Sequence, residues 1–262
     1  MSTKPTEVKI QNHCAYIYLK REKKMNAINQ ELADDLYHTL EKISKNNQIR
    51  SIVIEGKGKA FCAGGDVKSM DDAEDKSFLL KKLTKKIHQI IMLMRSMKQP
   101  IIASVNGAAT GAGFSLMLGC DIIIANKEAT FSTSFIKIGL APGCGSQLLT
   151  QLIGYHKACE YFFTGKKFSA TQAEEMGIIN KAVEDHKRQH EIENYVEIFS
   201  NSPVEALART KQLINKSYNK TMKDHFKLES LAASSCAESK DFVEGITAFI
   251  EKRKTNFQCN ED

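Results

Sequence analysis

The sequence predicts an α/β fold over residues 1–202 followed by an all-helical region over 203–262. Two apolar runs, Ile52-Val53-Ile54 and Ile101-Ile102-Ala103-Ser104-Val105, have the length and β-branched content of buried strands. Each feeds a small-residue turn that opens into a helical pattern: Phe61-Cys62-Ala63-Gly64-Gly65-Asp66-Val67-Lys68 after the first, and Asn106-Gly107-Ala108-Ala109-Thr110-Gly111-Ala112-Gly113 after the second. From Pro203 onward the strand signals stop, and the apolar residues from Leu207 to Ile250 read as three helices. Repeated strand–turn–helix units argue for α/β architecture. Internal sequence repeats are not evident.

The elements follow in order. Alternation from Val8 to Leu19 reads as two short strands with Asn12-His13 at the turn. Asn29 can cap a helix whose apolar face is Leu32, Leu36, Leu40 and Ile43. Strand Ile52 to Glu55 enters the first turn. Asp71 to Lys76 reads as a charged, mobile loop, and a long helix follows with the stripe Leu79, Leu83, Ile87, Ile90, Met94 and Met97, ended by Pro100. Strand, turn, helix and strand then run from Ile101 to Asn126.

Composition narrows the function classes. A chain of 262 residues, 42% hydrophobic and 26% charged, supports a full core. No apolar run approaches bilayer length and the first residues are polar, so the expectation is a soluble cytoplasmic protein with no membrane partner. Seven cysteines, at 14, 62, 120, 144, 159, 236 and 259, form no CxxC pair, which points to reduced thiols and no metal site. The net charge of +6 comes with patches at Lys81, Lys82, Lys85 and Lys86 and at Lys252, Arg253 and Lys254. Without aromatic interleaving or a recognition module, these patches do not indicate nucleic acid. A basic surface does suit a ligand carrying several phosphates.

The two turns are the chemical signal. Gly and Ala let the backbone approach a ligand, and first-turn helix N–H groups lack intrahelical partners. Two such turns can aim two N–H groups at one oxygen that gains negative charge, which describes an oxyanion hole. Read alone, the same turns serve equally well for close helix-to-strand packing.

At these residues the chain resembles the enoyl-CoA hydratase/isomerase (crotonase) superfamily. The likeness extends to Asn26-Ala27, Cys120 to Ala125, Gly139 to Gly145, Leu152-Ile153-Gly154, Phe163-Thr164-Gly165, Ala173 with Gly177-Ile178-Ile179, and Glu244 to Lys254. It implies a spiral of ββα units and a C-terminal helical part that assembles a homotrimer or a dimer of trimers. It implies a coenzyme A thioester as substrate and no separate cofactor. It assigns the backbone N–H groups of Gly65 and Ala112 to the thioester oxygen, and the backbones of Ala27 and Ala63 to the adenine and pantetheine pocket. Lys24 and Lys68 are placed near phosphates, and Lys252 toward a ligand of a neighbouring subunit. Asp66 belongs to the first motif as a brace of its turn.

The acid/base positions depart from the hydratases. Those enzymes carry two glutamates where this chain has Ser115 and Phe135. Water addition across an enoyl bond needs two proton-transfer groups, and neither residue supplies carboxylate chemistry. Phe135 to Pro142 matches a subgroup similar to phenylacetate-pathway and 3-enoyl isomerases, whose aspartate follows the proline; Gly143 stands there instead. His88, on the helix before Pro100, is a remaining candidate proton carrier and falls where some dehalogenating and isomerising members place an active-site histidine, although a histidine beside an apolar stripe is more often a packing residue. Ser115, Ser134, Cys62 and Cys144 are other polar groups near the pocket by the same comparison, and Ser115 is a further catalytic candidate. The resemblance therefore implies an acyl-CoA enzyme that stabilises a thioester enolate, with isomerisation favoured over hydration. A thioester decarboxylase and a non-catalytic acyl-CoA binding protein are the alternatives.

Overall fold

The computed structural model describes residues 4–257, so Cys259 lies outside the described residues. Strands β1 (Thr6–Gln11) and β2 (Cys14–Leu19) form the expected hairpin. Asn12 and His13 both take positive φ, the two-residue turn that matches strand twist. Helix α1 (Gln30–Ser44) starts at Asn29, whose Oδ1 accepts from the Leu32 N–H at 3.0 Å.

The chain then repeats one unit three times. A strand enters a large sheet, a shorter strand enters a second sheet, and a helix returns over them. The pairs are β3 (Ser51–Gly56) with β4 (Ala60–Cys62), β5 (Ile101–Val105) with β6 (Ala108–Thr110), and β7 (Ile122–Asn126) with β8 (Thr130–Ser132). The returning helices are α2 (Val67–Asp71) with α3 (Lys76–Ser96), then α4 (Ala112–Leu118), then α5 (Ser146–Thr164). With β9 (Phe168–Ser169) and β10 (Lys181–Val183), the sheets order as β1-β2-β3-β5-β7-β10 and β4-β6-β8-β9. From β2 through β10 the large sheet is parallel. This is the ββα spiral that the resemblance implies.

Burial on both faces explains why the central strands are continuously apolar. Ile52, Ile54, Ile101 and Ala103 face one core with Leu83, Ile87 and Phe114, while Val53, Ile102 and Ile124 face a second core with Ile192 and Val196 of α7 (Asp185–Ser200). Between β9 and β10 in the chain, α6 (Ala170–Glu175) begins with a capping box on Ser169 and Gln172.

Three helices follow Pro203: α8 (Val204–Ser217), α9 (Met222–Ala237) and α10 (Lys240–Glu251). A buried ion pair ties α8 to the core: Lys211 Nζ donates to Asp121 Oδ2 at 2.7 Å and to the Gln99 carbonyl at 3.0 Å. Two sequence expectations shift. Asp71 ends α2 and Lys76 begins α3, whose cap is Asp75, so the predicted mobile loop contracts to the residues between two helices. The stripe of α3 stops at Ser96 rather than running to Pro100, because Met97 already adopts extended backbone.

Candidate active site

The first turn is held from one side by the segment between β2 and α1. The Ile28 N–H donates to the Gly64 carbonyl at 2.7 Å, and the Asp66 N–H donates to the Ile28 carbonyl at 2.9 Å. Gly65 sits between these anchors, and its own N–H has no partner among the described residues. Gly64 takes φ +102°, a conformation that L side chains rarely adopt. In the second turn Gly111 donates to the Ser132 carbonyl at 2.8 Å, and Ala112 is the first residue of α4. The Ala112 N–H is likewise unpaired among the described residues, as the start of a helix requires. The turns touch: a Cβ on Gly64 would lie 2.9 Å from the Thr110 carbonyl oxygen and 3.7 Å from the Ala112 nitrogen. Gly113 lets α4 press onto β4, since a Cβ there would come 2.3 Å from the Cys62 carbonyl oxygen.

Gly65 and Ala112 open into one cavity of about 270 Å³. Its far walls come from α2, α3 and the 3₁₀ turn Phe135–Ile138, and they are mainly apolar: Val67, Met70, Leu83, Ile87, Phe135 and Leu140. No aspartate, glutamate or histidine lines it among the described residues; its ionisable side chains are Lys137 and Cys144. Burial pushes the Cys144 thiol up, against a hydrogen bond with Ser115, so it favours the neutral form. Cys62, behind the floor, is pushed to about 12 by burial and donates to the Asn26 carbonyl at 3.1 Å. These thiols fill space. A cavity floored by two free N–H groups and walled by hydrocarbon can hold a polarised carbonyl with an apolar tail.

The sequence profile of the enoyl-CoA hydratase/isomerase family matches residues 9–260. The chain belongs to this family. It is 35% identical over 249 residues to a mitochondrial enoyl-CoA hydratase of Pongo abelii, covering 94% of this chain and 84% of that one. It is 31% identical over 242 residues to the 1,2-epoxyphenylacetyl-CoA isomerase of Escherichia coli, covering 91% and 92%. The crystal structure of an enoyl-CoA hydratase from Bacillus anthracis superposes with a TM-score of 0.92 at 28% identity, covering 97% of this chain and 99% of that one. The spiral fold is thus that of enoyl-CoA hydratases.

Within this enoyl-CoA hydratase/isomerase family member, the residues singled out in the sequence separate into two groups. Ala63, Gly65, Ala112, Phe135 and Gly143 line the cavity together, as do Ser134 and Cys144. The others do not. Ser115 is buried beneath the floor, its Oγ 3.1 Å from the Gly111 carbonyl oxygen and 3.0 Å from that of Cys144. It braces two loops and is not among the lining residues. His88 is exposed and lines a neighbouring depression; its Nε2–H donates to the Gly143 carbonyl at 2.7 Å. One helical turn separates His88 from Thr84, which does line the cavity.

The remaining residues lie around the cavity rather than in it. Lys24, Lys68 and Lys252 are exposed and outside the lining. Ala27 is buried, and its carbonyl accepts from the Arg21 guanidinium. Asp66 caps α2 and pairs with Arg21 Nη2 at 2.8 Å. Burial alone would raise its carboxyl, but the Arg21 and Ser69 hydrogen bonds outweigh that and hold it below the usual carboxylate range.

Met70 and Thr84 are lining residues the sequence reading missed. A Cβ on Gly65 would meet Met70 Cε at 2.3 Å, and one on Gly143 would meet Thr84 Cγ2 at 2.8 Å. The only available signal was their position on helices that return over the first turn.

Proposed function

We propose that this protein is an acyl-CoA enzyme that seats a thioester carbonyl on the Gly65 and Ala112 N–H groups and stabilises its enolate, moving a double bond in preference to adding water. The observation that carries the reading is one cavity with two unpaired backbone donors and no carboxylate in its lining among the described residues. In the isomerisation a water admitted with the substrate accepts the α-carbon proton of a 3-enoyl thioester, the electron pair delocalises onto the oxygen held by the two N–H groups, and the same water returns the proton at the γ-carbon as the dienolate collapses to the 2-enoyl thioester. The donors lower the barrier through the charge that develops on oxygen. Hydration asks in addition for a group that activates water as a nucleophile toward the β-carbon, and Phe135 on the wall and Ser115 beneath the floor supply no carboxylate for it.

Exposed apolar residues on the last three helices, among them Leu231, Val243, Phe249 and Ile250, support self-association as a homotrimer or a dimer of trimers.

A panel of 2-enoyl-, 3-enoyl- and malonyl-type CoA thioesters, followed by chromatography with mass detection, tests the proposal. The expected product comes from the 3-enoyl thioester with unchanged mass and altered retention. A dominant product heavier by one water, or lighter by carbon dioxide from the malonyl-type substrate, overturns isomerisation as the favoured reaction. Binding without any product would leave an acyl-CoA binding protein.

A further inference from the structure

We propose that Arg21 is a positioning residue for the Gly65 donor, coupling the loop between β2 and α1 to the oxyanion turn. The proposal rests on the thioester reading of the cavity. A Gly64-Gly65 turn has no side chains with which to fix itself, yet a donor must be aimed before charge develops on the substrate oxygen. Its order is borrowed from both neighbours. Gly64 is held through its carbonyl by Ile28, and Asp66 through its N–H by Ile28 and through its carboxylate by Arg21.

The carboxylate anchor depends on Arg21. Asp66 Oδ1 accepts from the Ser69 N–H at 3.4 Å, beyond the usual range, whereas Oδ2 accepts from Arg21 Nη2 at 2.8 Å. The two side chains are only 18% and 10% exposed, so losing either partner strands a buried charge. Arg21 is itself fixed. Its N–H donates to Asn26 Oδ1 at 2.9 Å, and the Asn26 amide donates to the Ala60 carbonyl at 2.8 Å and to that of Lys57 at 2.9 Å. The guanidinium's other nitrogen, Nη1, donates to the Ala27 carbonyl. One planar fork thus spans Ala27 and the residue after Gly65, a geometry that a lysine ammonium on its single stem reproduces only in part.

The test uses the full chain and a push–pull chromophore, 4-dimethylaminocinnamoyl-CoA, whose absorption moves to the red as its carbonyl is polarised. Wild type, Arg21→Lys and Arg21→Met are compared for thermal melting, affinity and the red shift of the bound form. The expected result is that Arg21→Lys stays folded and binds within about threefold of wild type while keeping roughly half or less of the red shift. Arg21→Met should keep less again. A full red shift in folded Arg21→Lys and Arg21→Met overturns the proposal, as does loss of shift only in proportion to lost binding or folding. Wild type that binds the probe without a shift overturns the donor geometry as well. Wild type that does not bind any CoA thioester overturns the thioester reading itself, and the positioning role with it.

Discussion

The two ends of the cavity are built from different materials. At the floor, Gly65 and Ala112 present main-chain N–H groups whose positions follow from β4, β6 and the start of α4, and β4 and β5 are fully buried. At the opposite wall stand Phe135 and Gly143, with Ser115 turned beneath the floor. The donors belong to the main chain and are set by the turns, so an ordinary side-chain substitution leaves them in place and only a residue without an N–H removes one. Side chains on the 3₁₀ turn carry no such constraint and are free to change. The floor thus offers two unpaired backbone N–H groups, whereas the walls offer no carboxylate among the described residues.

If this contrast is right, the largest loss comes from the floor. Ala112→Pro removes the second donor at the first residue of a helix, where proline is well tolerated and no hydrogen bond of the fold is broken. Turnover of the best thioester in the panel should fall by about 10²–10³ with the melting temperature nearly unchanged, by analogy with other oxyanion donors. Equal activity in the variant would mean that the floor is packing alone.

A smaller effect concerns what holds the floor in place. Because the Asp66 carboxyl lies below its usual range in the fold, its contribution to stability is fully present above the ordinary carboxylate value of about 4 and is lost as pH falls through the lowered folded value. Asp66→Asn should be less stable than wild type by on the order of 1 kcal/mol at neutral pH, and the gap should shrink in acid; denaturant titrations across pH measure it. A gap that widens on acidification contradicts the assignment.

The smallest effect lies outside the cavity, where the His88 imidazole donates to the Gly143 carbonyl. His88→Ala should leave turnover within about threefold of wild type, since an exposed residue outside the cavity contributes at the level of an ordinary surface substitution. Abolished turnover with intact acyl-CoA binding would return His88 to the chemistry.

What was legible in the sequence follows the same division. The strands at Ile52 and Ile101 were readable because burial on both faces makes them continuous apolar runs, and Asn29 because a cap has a side-chain signature. The second sheet was not: β4, β6 and β8 have three residues each and β9 two, too short for any period to register. In the site, the motifs located both donor turns. They did not reveal that Ser115 points to carbonyls, that His88 faces the next depression, or that Met70 and Thr84 close the cavity. Those facts depend on where α3 and α4 return over the sheet, a tertiary property with no local pattern.

The central claim is that a bound thioester oxygen accepts from both backbone N–H groups at once. It is tested most directly by isotope-edited infrared difference spectroscopy of butyryl-CoA labelled with ¹³C at the thioester carbonyl, bound to wild type and to Ala112→Pro. Two aimed donors should move the carbonyl band to lower wavenumber in wild type, and the loss of one should recover a large part of that shift while the ligand stays bound. A bound carbonyl that absorbs at its free-solution position, or one equally shifted in both proteins, would contradict the account.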